Sequence, residues 1–163
     1  MSVDAGHAVG PVLPGMADVP LSWSDAYLVG HPALDRQLQA FVRAIAALQA
    51  ASDEHLHDRL RAVATHAALQ FAQEDAWMSE SRFPPADCHV QEHAAVSKSI
   101  SDVDAVVRDG DLQEGRRLAA ALADWLPAHA MHLDSALAHW LFTRRDEGRP
   151  VVIRRGVAAA CAP

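Results

Sequence analysis

His89 and His93 are separated by three residues, a spacing that puts two imidazoles one turn apart on the same face of a helix. Two ring nitrogens so placed can converge on one ion about 2 Å away. His129 and Asp134 stand five apart, roughly adjacent in angle on a common helix and displaced along its axis by about 7.5 Å. Glu74 lies among apolar neighbours, where an unpaired carboxylate is costly to bury. Three imidazoles and two carboxylates are thus offered to one interior, which is the donor set of a non-haem metal site. An isolated His-x-x-x-His carries little weight in a chain with 10 histidines, because histidines also occupy solvated helix faces and helix C-termini. The weight rests on the whole constellation.

Helices must carry these groups. Pro32 suits a first helical position, and Leu34, Leu38, Phe41, Ile45 and Leu48 recur at three- and four-residue steps. Ser52 reads as the N-cap of a second helix with His55 in its first turn. Leu56, Leu60, Val63, Ala67, Phe71, Ala72 and Met78 continue that helix to Arg82, where Phe83-Pro84-Pro85 breaks it. A third helix starts near Asp87, carries His89, His93, Val96, Ile100, Val103 and Val107 on one side, and stops at Asp109-Gly110-Asp111. The fourth runs from about Leu112 to Phe142 with a kink expected at Pro127. The fold class is therefore all-α: an up-down-up-down four-helix bundle with an N-terminal arm. Its boundaries fall at 1–22 for the arm, 23–145 for the bundle and 146–163 for a C-terminal tail.

Bulk properties narrow the function. A chain of 163 residues suffices for one domain with a real core. A net charge of -7 argues against nucleic-acid binding, which needs a lysine and arginine footprint. No apolar run is long enough to cross a bilayer, so no membrane partner is expected. The first residues lack the basic and apolar regions of a secretory signal, and Cys88 and Cys161 cannot form a disulfide framework; a reduced, cytoplasmic setting is the expectation. Cys88, about 100° around the helix from His89, reads as a packed or surface thiol, and Cys161 as an exposed one.

Trp23, Tyr27-Leu28-Val29-Gly30, Leu34-Asp35-Arg36-Gln37, Phe71-x-x-Glu74-Asp75-x-x-Met78, Pro84, His89-x-x-x-His93 and Trp125-Leu126-x-x-His129-x-x-x-x-Asp134 follow one another in an order and spacing that resemble the hemerythrin family, in particular its bacterial single-domain members with an HHE cation-binding domain. The resemblance covers about residues 23 to 140. It implies two irons bridged by a glutamate, an aspartate and an oxo or hydroxo group. One iron takes three histidines, corresponding to His89, His93 and His129, and the bridging carboxylates correspond to Glu74 and Asp134. The second iron's two histidines correspond to Leu38 and Gln70. Leucine has no donor, and a glutamine carbonyl is a far weaker ligand than imidazole. Both substitutions strike one iron and spare every ligand of the other, so one metal per chain is the favoured expectation, with two as the alternative.

His66, one turn or about 5.4 Å before Gln70, is a candidate ligand for a displaced second metal or a hydrogen-bonding group beside the pocket. His31 is too far from Leu38 to replace it, His132 follows His129 by three and faces the same side, and His7, His55, His57 and His139 read as solvated. Trp125 corresponds to the family's pocket-wall tryptophan, whereas Phe71 and Trp77 read as core. The resemblance implies an iron-binding, oxygen-binding protein of the hemerythrin type whose ligand is a small diatomic, O₂ or NO, or a reduced oxygen species. A binding or sensing role is favoured over enzymatic superoxide or peroxide chemistry. Zinc and manganese are alternatives to iron, and a zinc-holding or metal-free structural or signalling module is the rival function, as is a rearranged di-iron oxygen-binding protein.

Overall fold

A computed structural model describes residues 20–145; residues 1–19 and 146–163, with His7, Cys161 and nearly all of the arm and tail, lie outside the described residues. Among the described residues there is no strand. A short 3₁₀ turn (Asp25–Tyr27) leads to α1 (Pro32–Gln49), α2 (Leu56–Ser81), α3 (Ala86–Arg108) and α4 (Leu112–His129). A π-helical turn (Ala130–Asp134) joins α4 to α5 (Ser135–Arg145), so that these three segments make the fourth rod of the bundle. Each rod packs chiefly on its two chain neighbours, and α1 closes the ring against α4. This is the up-down-up-down order expected of long helices joined by short links.

Local chemistry sets most of the boundaries. Pro32 opens α1, and His31 caps it by accepting from the Leu34 amide at 3.4 Å. Leu34, Leu38, Phe41, Ile45 and Leu48 are all fully buried, as their spacing requires. The second helix begins one turn later than Ser52: residues 53–55 form a turn, and the Ser52 hydroxyl bonds the His55 ring at 2.8 Å instead of capping backbone amides. At the end of α2, Arg82 adopts a left-handed conformation (φ 56°), and the Phe83 amide returns to the Met78 carbonyl at 2.9 Å. Phe83 also packs on Met78, so the closing hydrogen bond and the apolar contact act together. Gly110 (φ 106°) closes α3 in the same way, with Asp111 N–H bonded to Val106 and Gly110 N–H to Val107.

The interruption expected at Pro127 falls elsewhere. α4 runs through Pro127 to His129. The departure is the π turn at Ala130–Asp134, in which Ser135 N–H bonds the Ala130 carbonyl five residues back. It also corrects the sequence expectation for His129 and Asp134. In an unbroken α-helix a spacing of five leaves two side chains about 140° apart. A π turn absorbs the extra residue and returns both to one side.

Apolar side chains form two clusters. The larger runs from Leu48 and Leu56 up to Phe71 and Ala130; the smaller, at the other end, holds Met78, Phe83 and Leu137, with Trp140 against it. Glu74 on α2 and Asp134 on the π turn fall between them in the chain, and with them the only fully or nearly fully buried ionisable side chains among the described residues. The Gly110 closure is testable by urea unfolding. Gly110→Ala forces a Cβ into left-handed backbone and is expected to lower stability by about 1–2 kcal/mol, whereas Arg82→Gly, which relieves the same strain, leaves stability unchanged or raised.

Candidate metal centre

Three rods deliver the site. Glu74 comes from the second half of α2, His89 and His93 from successive turns at the start of α3, and the fourth rod brings His129 as the last residue of α4 and Asp134 from the π turn. Each is between 0% and 3% exposed. One donor atom each from Glu74, His89, His93 and His129 lies within 4.8 Å of every other. Glu74 Oε2 is 3.3 Å from both His89 Nε2 and His93 Nε2. Asp134 Oδ1 is 3.3 Å from His89 Nε2 and 3.2 Å from His129 Nε2, and those two nitrogens are 3.2 Å apart.

These separations are long for charge-assisted hydrogen bonds, which run at about 2.7–2.9 Å. They match the spacing of atoms bound to one ion, since ligands about 2.1 Å from a centre sit about 3.0–3.4 Å from each other. Glu74 Oε2, His93 Nε2 and both Asp134 oxygens are buried, yet among the described residues no donor or acceptor meets them at hydrogen-bonding angles. Such orphaned polar atoms are costly to hold in an apolar bundle. A cation among the Nε2 atoms would satisfy Glu74 Oε2 and His93 Nε2, with Asp134 Oδ1 beside His89 and His129, so the residues present fit a metal ion.

The outer nitrogens of two imidazoles are held by carboxylates. His93 Nδ1 bonds Asp75 at 2.8 Å, and His129 Nδ1 bonds Glu92 at 2.8 Å. A carboxylate there accepts a hydrogen bond from Nδ1–H, which keeps the proton on Nδ1 and leaves Nε2 with a bare lone pair facing inward, the tautomer a metal requires. The Glu92 carboxyl is held below its usual range chiefly by that bond from His129. Trp125 also donates its indole N–H to Glu92 at 3.4 Å and lies 4.4 Å from the His129 ring, while Phe71 stacks on His93 at 4.0 Å. Phe71 is therefore core and site wall at once. Asp75 was visible beside Glu74 as part of the family pattern, but nothing in the spacing announced Glu92 as a partner for a histidine on another helix.

The other side of Glu74 differs. Leu38 is fully buried and brings no donor. Gln70, 1% exposed, donates its side-chain amide to Glu74 Oε1 at 2.8 Å. His66 Nε2 lies 3.1 Å from Gln70 Oε1 and 3.1 Å from the Gln37 carbonyl. His66 thus makes hydrogen bonds beside the pocket. His132 points to solvent, since the π turn rotates it off the site face, and His139 and His55 are exposed. His57 is half-buried and pairs with Asp104 at 3.1 Å. His31 is occupied as the cap of α1 and packs against Trp77. Cys88 is exposed.

Without a cation, protons must balance the charge. Burial is the largest single influence on His89 and opposes protonation, but the adjoining Asp134 and Glu74 carboxylates outweigh it and raise its pKa to about 9. His129 is raised in the same sense, against burial, by Asp134 and Glu92. Burial would push Asp134 up, but His129 and His89 overcome it and hold Asp134 at about 2. The raised His89 contributes stability that is complete below pH 6.5 and disappears as the pH climbs through 9. The depressed Asp134 contributes stability present above pH 3.8 and lost as the pH falls towards 2. Metal-free protein is therefore expected to be most stable between these limits and to weaken from pH 6.5 to 9. Cation affinity should rise over the same interval, because the ion displaces those protons. Urea unfolding of chelator-treated protein and metal titration across pH 6–9.5 check both slopes.

Comparison with known proteins agrees with this geometry. The family described as "Hemerythrin HHE cation binding domain" matches residues 29–141. A curated relative, "Bacteriohemerythrin" from Ralstonia nicotianae (strain ATCC BAA-1114 / GMI1000), is 34% identical over 129 residues, spanning 79% of this chain and 94% of the relative. With a four-rod bundle, buried histidines and carboxylates converging between its helices, and a match over most of its length, the chain belongs to the hemerythrin HHE cation-binding domain family.

Proposed function

We propose that the domain holds one iron ion through His89, His93, His129, Glu74 and Asp134, and uses it to bind or sense a small diatomic ligand such as O₂ or NO. The observation that carries this reading is the gathering of three imidazole nitrogens around the unpartnered Oε2 of Glu74, with unpartnered Asp134 beside two of them and Leu38 at a position where the resemblance calls for a ligand. Two carboxylates and three neutral imidazoles carry a net charge of -2, which one divalent cation neutralises in a site that excludes water. A second ion would find Leu38 and Gln70 where the resemblance calls for imidazoles.

When bound, iron supplies an electrophilic, redox-active centre for the diatomic ligand. The chain's own residues hold and shelter that centre. Asp75 and Glu92 fix two imidazoles with Nε2 inward. Phe71 and Trp125 cover His93 and His129 with aromatic faces and exclude water. A two-electron reduction of O₂ shared between two irons, as the family resemblance implies for oxygen carriers, has no second iron to draw on here. Binding, sensing or one-electron chemistry with reduced oxygen species is the reading left.

Protein purified without added metal is expected to contain close to one iron per chain, with none of the strong near-ultraviolet bands of an oxo-bridged pair. Two irons per chain would overturn the one-metal reading, and a colourless protein with zinc alone would overturn the choice of iron. His89→Ala should lose the metal, whereas Leu38→Ala should keep it. The double variant Leu38→His/Gln70→His should move the content towards two, because it returns both missing imidazoles.

A further inference from the structure

His66, Gln70 and Glu74 succeed one another at four-residue steps on α2 and therefore share one face. Their hydrogen bonds run in one direction. The Gln37 carbonyl and Gln70 Oε1 both lie 3.1 Å from His66 Nε2, and since both are acceptors the nitrogen must carry the proton. Gln70 then presents its NH₂ group to Glu74 Oε1 at 2.8 Å. Turning the amide over would set two acceptors against each other at Glu74 and two donors against each other at His66. The orientation of Gln70 is thus imposed from both ends, with α1 backbone as the anchor.

Glu74 is the beneficiary. It is fully buried, and its two oxygens have different surroundings: Oε1 is satisfied by Gln70, while Oε2 faces His89 and His93 and is bare. A carboxylate bridging two cations commonly offers one oxygen to each. Here one is already committed to a neutral N–H donor.

We propose that Gln70, oriented by His66, is the positioning residue that commits Glu74 to a single cation, its amide N–H standing in for the second metal. The inference rests on the one-metal reading above and gives it a cause beyond missing ligands. Leu38 only withholds a donor; Gln70 also occupies Glu74 Oε1 with an N–H. Glu74 offers one oxygen to the cation, and its second lone-pair set is held away by the His66–Gln70 pair.

Co(II), added to the metal-free full chain, is the test ion. Wild-type protein is expected to take one Co(II). Gln70→Met, similar in length but without a donor, should still take one but bind it about 10–100-fold more weakly, the usual loss for removing an outer partner of a ligand. The Co(II) d–d bands should lose intensity as Glu74 swings to offer both oxygens. His66→Ala should weaken binding less, and His66→Ala/Gln70→Met should be no weaker than Gln70→Met alone, since His66 acts only through Gln70. In metal-free protein, the Gln70 side-chain NH₂ should give a displaced, exchange-protected NMR signal that His66→Ala moves. That arm stands even if Gln70→Met fails to fold. Unchanged Co(II) affinity and bands in Gln70→Met, additive losses in the double variant, or a solvent-like Gln70 signal would overturn the inference while leaving a one-metal site intact. Two Co(II) per wild-type chain would overturn both.

Discussion

Two carboxylates buried in an apolar bundle govern this structure. Glu74 and Asp134 are both fully buried, and an uncompensated carboxylate in such a place costs several kcal/mol. Compensation comes from two rods, because no single helix presents enough donors at one level. His89 and His93 supply it from α3 and His129 from α4. The packing of α2 against α3 and of α3 against α4 is therefore more than burial of leucines. The apolar clusters on either side set the register at which five polar groups meet, and a slide of one helical turn, about 5.4 Å, would separate them.

The backbone bends to the same requirement at one place. The π turn gives up regular α-helical hydrogen bonding between Ala130 and Asp134 and returns Asp134 to the side of His129. A π turn has poorer hydrogen-bond geometry than an α turn and persists where something gained exceeds that cost. Asp134 Oδ1, lying between two imidazole nitrogens, is what is gained. The site then extends outward through Asp75 and Glu92, both partly exposed, which hold the outer nitrogens of His93 and His129.

Much of this was legible in the chain. Leu34 through Leu48 announce α1 because every third or fourth residue is apolar, and the structure buries all five that were singled out. The Gly110 stop and the Pro84-Pro85 break follow from backbone chemistry that acts within a few residues. His89 and His93 are legible for the same reason, since a spacing of four is a local geometric fact. What escaped depends on choices made between elements or between near-equal backbone states. Ser52 has the chemistry of an N-cap, yet its hydroxyl goes to the His55 ring and the helix starts at Leu56. Nothing in Ala130–Asp134 marks a π turn, because the α and π patterns differ only in which carbonyl each amide selects. Glu92 looks like a solvated charge on α3 until α4 brings His129 beside it.

The two substitutions at the lost-ligand positions are not equivalent, and the difference explains how the bundle tolerates them. Leu38 joins the main apolar cluster, where a histidine left without a metal would be a buried polar group lacking a partner. Gln70 sits one turn from Glu74 and could not be apolar at no cost, because Glu74 Oε1 would then be buried with nothing to receive. A neutral amide meets that need with an N–H while adding no charge, and its own carbonyl is met by His66. The two positions therefore carry different demands, one for an apolar side chain and one for a hydrogen-bonding one, set by which of them faces Glu74. Leucine at 38 and glutamine at 70 meet those demands in the right order; exchanging them would leave Glu74 without its donor and place an amide inside the leucine core.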